Sequence, residues 1–570
     1  MLLVGPPVSW AAEVASIAIY PPEIHLHTSR DKASFVVQAV MTDGITRDVT
    51  ADAKIDLTAP NLVRRTGFLL FPQNDGQTTL HAEFAGKKAS IPVTVQQAQA
   101  DRPISFKLDV MPVFMRAGCN TGSCHGAARG KDGFRLSLFG FDPDGDYYRL
   151  TREAPGRRIN LALPHESMLM EKPTGKVPHT GGEKFRDGDE YYQTIVRWLE
   201  AGTPADPPTI AQPVAAEIYP PSLVLDGAGT RHRITVRAKY SDGSMRDVTH
   251  LAVYLSNNDV SAKVSESGEI TAGQRGEAFV MARFHTFTVG SQVIVLPKDL
   301  QFDWPNPPEF NYIDKFVHAK LKKLRMIPSE VCSDEVFLRR ATLDITGLLP
   351  TVDEYHRFMA DPAPNKREKL VDDLLTRKEF AELWVLKWAE LLQIRSGDQV
   401  SNKAMVLYFN WLQDKIARNV PVNEWVRELL SATGGTFDNP ATNYYLIERD
   451  RLKLTENVAQ VFLGMRIQCA QCHNHPFDRW TMDDYYGFAA FFAQIGRKQS
   501  DDPRELVIFN SGGGETRHPV GNRVMKPKFL GGAEPDVAGK DRREVVANWL
   551  AAPDNPYFAV NLTNIVWTHF

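Results

Sequence analysis

The sequence predicts a multidomain protein in which two all-β sandwiches alternate with an all-α domain and a large, mostly α-helical domain. Three observations predict it. The chain has 570 residues, more than one hydrophobic core usually organises, so several domains are expected. Two anchor strings recur at a single offset: Ile19-Tyr20-Pro21-Pro22 returns as Ile218-Tyr219-Pro220-Pro221, and Asp43-Gly44 with Arg47-Asp48-Val49-Thr50 returns as Asp242-Gly243 with Arg246-Asp247-Val248-Thr249. Beyond the proline-rich linker Trp304-Pro305-Asn306-Pro307-Pro308, the apolar period changes from two to that of helices.

Residues 1–15 read as a leader or signal-peptide remnant. A short apolar run ends in the small residues Ser9, Ala11 and Ala12, although the basic start of a secretory signal is missing and an ordinary terminus fits as well. Segments 16–97 and 215–297 alternate, as in Ser34-Phe35-Val36-Val37-Gln38-Ala39-Val40, which reads as half-buried strands with Asp-Gly as a hairpin turn. With their Tyr-Pro-Pro opening and Asp-Gly…Asp-Val-Thr segment, both copies resemble the bacterial Ig-like group 2 domain. That resemblance implies spacer or adhesive modules rather than catalysts.

Residues 103–206 close on an amphipathic helix, with Tyr191, Ile195, Trp198 and Leu199 on one face and Gly202 at its end. Residues 309–500 read as helical, with helices expected over 310–324, 334–344 and 452–463. Trp384, Trp388, Trp411 and Trp425 are expected to pack its core. Residues 501–540 read as a connecting loop. Its Ser511-Gly512-Gly513-Gly514 is no phosphate loop, since no strand, lysine and helix frame it in order.

Composition narrows the function classes. Hydrophobic content of 43% and charged content of 24% are ordinary for a globular chain. Lys+Arg (66) and Asp+Glu (69) nearly cancel, and without a long basic run nucleic acid is not an expected partner. No apolar stretch approaches the roughly 20 residues of a transmembrane segment.

The chemistry lies in the cysteines. Four of the five sit in two Cys…Cys-His strings. Cys469-Ala470-Gln471-Cys472-His473 is the attachment string of c-type haem, whose vinyl groups take the two thiols while the imidazole ligates the iron. Competing readings are a redox disulfide and a zinc half-site. Met465, Met482 and His518 are the sixth-ligand candidates, with His518 favoured, and His475 is too near His473 to reach the opposite haem face. The looser string runs from Cys119 to Cys124 and His125, with four residues between the thiols, and a local disulfide competes there. Met168, Met170 and His179 follow at the distance where a small cytochrome c fold returns its sixth ligand. His179, in a loop beside Pro178, Gly181 and Gly182, is favoured, giving bis-histidine ligation by His125 and His179 and a low potential. Cys332 reads as a buried thiol.

At these residues the chain resembles the planctomycete-type cytochrome c proteins. The resemblance is carried by Gly118 to Ala128, by Lys172-Pro173-Thr174-Gly175 with Pro178-His179, by Arg339 to Pro350, and by Cys469 to Asp478 with Tyr485-Tyr486-Gly487. It implies a cytochrome c domain at 103–206 and a DUF1549-type helical domain at 309–500. It also implies, over 541–570, the start of a truncated DUF1553-type domain. Many family members present Met-Pro-Pro where this chain has Val177-Pro178-His179, which supports histidine at the first haem.

The expected function is that of an exported c-type cytochrome, periplasmic or at the cell surface, with two covalently attached haem c groups. It would pass electrons to a redox partner protein or an extracellular acceptor. One alternative is a haem-dependent oxidoreductase acting on an extracellular substrate, with a polysaccharide as candidate. The other is a non-haem surface or adhesion protein with disulfides. Whether the chain is an enzyme stays open at this stage, electron transfer being favoured.

Overall fold

The structure, a computed structural model, describes residues 13–397 and 400–570. Most of the expected leader lies outside the described residues; its last two positions, Val14 and Ala15, instead open the first strand. The chain divides into two compact units, one of residues up to 328 with 476–479, the other of 329–475 with 480–570.

In the first unit each repeat folds into a β-sandwich, and the two share one topology. In the first copy Val36–Met41 lies between Val14–Tyr20 and Thr46–Asp48. A second sheet runs Ile24–Leu26, Lys87–Val95, Gly76–Phe84, Lys54–Leu57, and a third runs Ala33–Ser34, Leu69–Pro72, Val63–Thr66. In the second copy the corresponding first sheet is Pro213–Tyr219, Thr235–Tyr240, Met245–Asp247, and the other two sheets repeat the order as well. Alternation decides which face is inside: along Gly76–Phe84, Thr78, Leu80 and Ala82 are buried while Gln77, His81 and Glu83 face outward. The Asp-Gly turns need glycine, since Gly44 and Gly243 have φ of 85° and 83°.

The two copies meet through equivalent positions. The Asp247 carboxylate accepts from the backbone N–H and hydroxyl of Ser34. The Asp48 carboxylate accepts from the backbone N–H of Arg233, 3.2 Å away. Ser34 and Arg233 occupy the same place in the repeat, as do Asp48 and Asp247. Tyr20 stacks on its own counterpart Tyr219 at 5.9 Å. This reciprocity is that of an isologous dimer, realised inside one chain.

Between the sandwiches, helices Met111–Arg116, Pro143–Thr151, Met168–Glu171 and Glu190–Glu200 surround a core of Phe106, Val110, Phe114, Leu150 and Trp198. The closing helix buries Tyr192, Ile195, Val196, Trp198 and Leu199. Trp198 packs on Phe106 at 5.2 Å and donates its indole N–H to the Pro204 carbonyl.

The second unit is mostly helical. Its helices begin at side-chain caps such as Ser333, Ser401 and Asp450, and the Thr351/Glu354 and Thr481/Asp484 pairs form capping boxes. Trp384, Trp388 and Trp425 are buried, with Trp388 and Trp425 edge to face at 5.0 Å. Trp411 is half-buried and donates to Glu428.

Two expectations are corrected. The 501–540 segment is more than a connecting loop: Leu506–Asn510 pairs with Ile495–Gln499 and with Gly434–Gly435, because its β-branched and aromatic residues find an edge to join. Helices Arg542–Leu550 and Phe558–His569 belong to the same compact unit as the rest of the helical region. Val546, Ala547 and Leu550 are buried there, and Asn561 donates to the Val461 carbonyl. Cys332 is half-exposed rather than buried, since it sits in the irregular segment just before helix Asp334–Thr346.

Candidate functional site

The upstream string is a closed loop. Helix Met111–Arg116 ends at Ala117, and Gly118 takes a φ of 71°. From there Cys119 N–H donates to Phe114 O, Cys124 N–H to Thr121 O, and His125 N–H back to Cys119 O, at 2.9 to 3.0 Å. Gly126 allows this closure: a Cβ there would lie 2.1 Å from the Asn120 carbonyl oxygen. The four-residue spacer is thereby folded so that Cys119, Cys124 and His125 all line one cavity.

His179 lines the same cavity from its loop. Its ring is parallel to that of His125 within 11°, with centroids 6.3 Å apart. Each imidazole is held by a backbone carbonyl, His125 Nδ1–H by Phe134 O at 3.0 Å and His179 Nδ1–H by Gly182 O at 2.8 Å. That bond leaves Nε2 of each ring as the nitrogen that would face a metal. Gly181 lets the loop fold tightly, since a Cβ would fall 2.9 Å from the His179 ring.

The cavity holds about 1040 Å³, counting the part open to solvent. Phe114, Phe134, Leu136, Leu169 and Phe185 give it apolar walls, and Lys131, Arg157, Arg158, Lys172 and Lys184 outnumber the lone Asp132. Burial lowers the His125 pKa, and it pushes the Cys119 thiol up to about 12, so that thiol is protonated at neutral pH. Met168 also lines the cavity, whereas Met170 is buried in the domain core and does not line it.

The residues fit a haem. Two imidazoles on opposite faces of one metal, each nitrogen about 2 Å from it as in imidazole–zinc bonds, place their ring centroids about 6 Å apart. The walls suit a porphyrin and the cationic rim suits its carboxylates. The thiols and both imidazoles singled out from the sequence line this one cavity. Sequence reasoning missed the two anchoring carbonyls and the cations of Arg157, Arg158 and Lys184; carbonyl direction is a backbone property that no side-chain pattern reports.

The downstream string sits on a turn. Helix Arg451–Leu463 ends at Gly464, where φ is 72° and a Cβ would lie 2.7 Å from Asn561 Oδ1. The 3₁₀ turn Gln468–Gln471 follows, with Ala470 buried and both Cys469 and Cys472 exposed. His473 Nδ1–H donates to the Asn474 carbonyl at 2.7 Å. Tyr486 donates its hydroxyl to Gln471 O and packs its ring edge to face on His518 at 5.4 Å.

His518 is not presented as an open ligand. It is buried, its Nδ1 lies 3.0 Å from the Val520 backbone, and its Nε2 lies 3.2 Å from an Asp483 carboxylate oxygen, close but not aligned as a hydrogen bond. Met465 and Met482 are also buried. All five cysteines are unlinked thiols. Among the described residues, no group of three or more His, Cys, Asp or Glu side chains is arranged to hold a metal ion.

Residues 312–497 match the family PSCyt2, described as a protein of unknown function (DUF1549). The chain thus carries a DUF1549 domain, and the match includes Cys469, Cys472 and His473. No curated protein matches the chain. Among solved structures, the surface layer protein SbsC, domains 1–6, is 10% identical, with 51% of this chain and 29% of that chain covered and a TM-score of 0.14. Domains 5–6 of SbsC are 10% identical over 50% of this chain and 99% of that one, at 0.20. A chimeric titin Z1Z2 is 9% identical over 51% and 100%, at 0.11. The chain spans under a third of the first of these. Among the described residues, no helix is long and apolar enough to cross a membrane.

Proposed function

We propose that this chain is an exported c-type cytochrome carrying two covalent haems. One is attached at Cys119 and Cys124 between His125 and His179, the other at Cys469 and Cys472 under His473. The observation that carries the reading is the His125–His179 pair: parallel rings 6.3 Å apart, facing a cavity that both thiols also line. When bound, haem c supplies a one-electron couple, and two imidazole ligands favour a low potential. The chain's own residues attach it through the thiols, orient the ligating nitrogens through the Phe134 and Gly182 carbonyls, and exclude water with Phe114, Phe134 and Phe185. A redox partner protein or extracellular acceptor takes the electron.

The test is a pyridine haemochrome assay on chain matured with haem-attachment machinery. Two covalent haems per chain are expected. A count of none refutes the proposal and leaves a surface protein whose cysteines pair as disulfides.

The burial of His518, with an Asp483 carboxylate oxygen 3.2 Å from its Nε2, favours a second reading for the downstream site, that of an oxidoreductase in which no second residue of the chain would hold the metal that His473 holds, so that it admits a small ligand. Carbon monoxide should then shift the spectrum of the reduced protein, and an unshifted spectrum rules that reading out.

A further inference from the structure

A second cavity, of about 1030 Å³ including the part open to solvent, lies in the first unit, apart from the site above. One wall is the outward face of helix Glu190–Glu200, opposite the face that covers the domain core; the others come from both sandwiches and from residues 102–109. Five guanidinium or ammonium groups and four carboxylates line it.

The carboxylates all have partners within the protein. Asp109 takes both Arg102 terminal nitrogens, at 2.8 and 2.6 Å. Glu190 pairs with Lys32 and His250, Asp247 holds Ser34, and Asp31 accepts from Thr28 and from the His27 N–H. Arg30 and Arg197 both turn to Asp101.

Arg246 is the cation left over. Its guanidinium lies over the Tyr240 ring, 4.6 Å from the centroid; among the described residues it makes no direct ion pair, and the Asp242 carboxylate feels its charge from beyond contact distance. Its Nη1 is buried without a hydrogen-bond acceptor, as is Arg102 Nε; His250 Nδ1 is also buried without a partner and donates only when both ring nitrogens carry a proton, since Nε2 faces Glu190. Buried donors of this kind call for a partner. Water satisfies a donor but not a charge, and a guanidinium stays protonated. An anion answers both needs.

We propose that this cavity binds a small oxyanion, a phosphate or a carboxylate, held by Arg246 with Arg102 and His250 as further donors. It is independent of the haem reading.

The experiment is calorimetric titration of the full chain with inorganic phosphate and, separately, with acetate, against chloride at matched ionic strength. Saturable binding of at least one probe is expected. Arg246→Gln, which breaks no ion pair, should weaken it by about tenfold, the worth of one charged hydrogen bond. Arg47→Gln, remote on an exposed pair with Asp226, should leave it unchanged. Absence of saturable binding of both probes overturns the proposal, and so does equal binding by Arg246→Gln. Should that variant fail to fold, His250→Gln tests the same cavity from another residue, and unaltered binding there has the same meaning.

Discussion

His179 reaches the cavity of the first string because Gly181 and Gly182 let its loop fold back and a carbonyl of that loop fixes its ring. On the proposed reading, replacing it with alanine should convert the first haem from low to high spin, read in the visible spectrum, while the haem count stays at two. An unchanged spectrum would place the sixth ligand elsewhere, with Met168, which also lines the cavity, as the next candidate. Asp109 shows the other side of residue-scale physics. Burial works against its charge, yet two bonds from Arg102 and one from the Ser105 N–H hold its pKa below the usual carboxylate value. Asp109→Asn should cost about 3 kcal/mol, because it strands a mostly buried guanidinium; urea denaturation measures this. Because the folded pKa is depressed, the Asp109 contribution is whole above the ordinary carboxylate pKa of about 3.9 and is lost as pH falls through the lower folded value. The acid limb of the wild-type stability profile should therefore flatten in the variant.

At the scale of elements, the loop from Cys119 to Gly126 decides whether the looser string can act as an attachment site. Gly126→Ala drives a Cβ into backbone with no room to yield. It should reduce the covalent haem count from two to one by haemochrome assay and intact mass, with the downstream haem kept. Gly156→Ala, which meets nothing within 4 Å, serves as the matched control and should retain both. Helix Glu190–Glu200 does two things at once: its apolar face closes the core, and its polar face lines the charged cavity. The apolar stripe was legible, since helical period and aromatic content mark it in one sequence. The strand Leu506–Asn510 was not, because an isolated run of that length joins a sheet only when a partner edge is near.

At the scale of the molecule, two sandwiches of one topology enclose a small helical domain in sequence and meet through equivalent residues. Asp48→Ala and Asp247→Ala should destabilise the first unit by similar amounts, measured by thermal melting, if their roles in the contact match. A large inequality would show that the interface is symmetric in position but not in energy.

The sequence by itself determined the sandwich–helix–sandwich–helix order, because periodicity and an exact internal repeat are local properties. It also singled out the thiols and imidazoles, because their spacing is that of a haem-attachment string. Only the tertiary structure decided that His125 and His179 face one cavity in parallel, that an Asp483 oxygen lies 3.2 Å from His518 Nε2, and that Arg246 makes no direct ion pair. The physical reason is the same in all three. Which nitrogen meets which oxygen depends on backbone direction and on segments distant in sequence, and neither is written in the order of side chains.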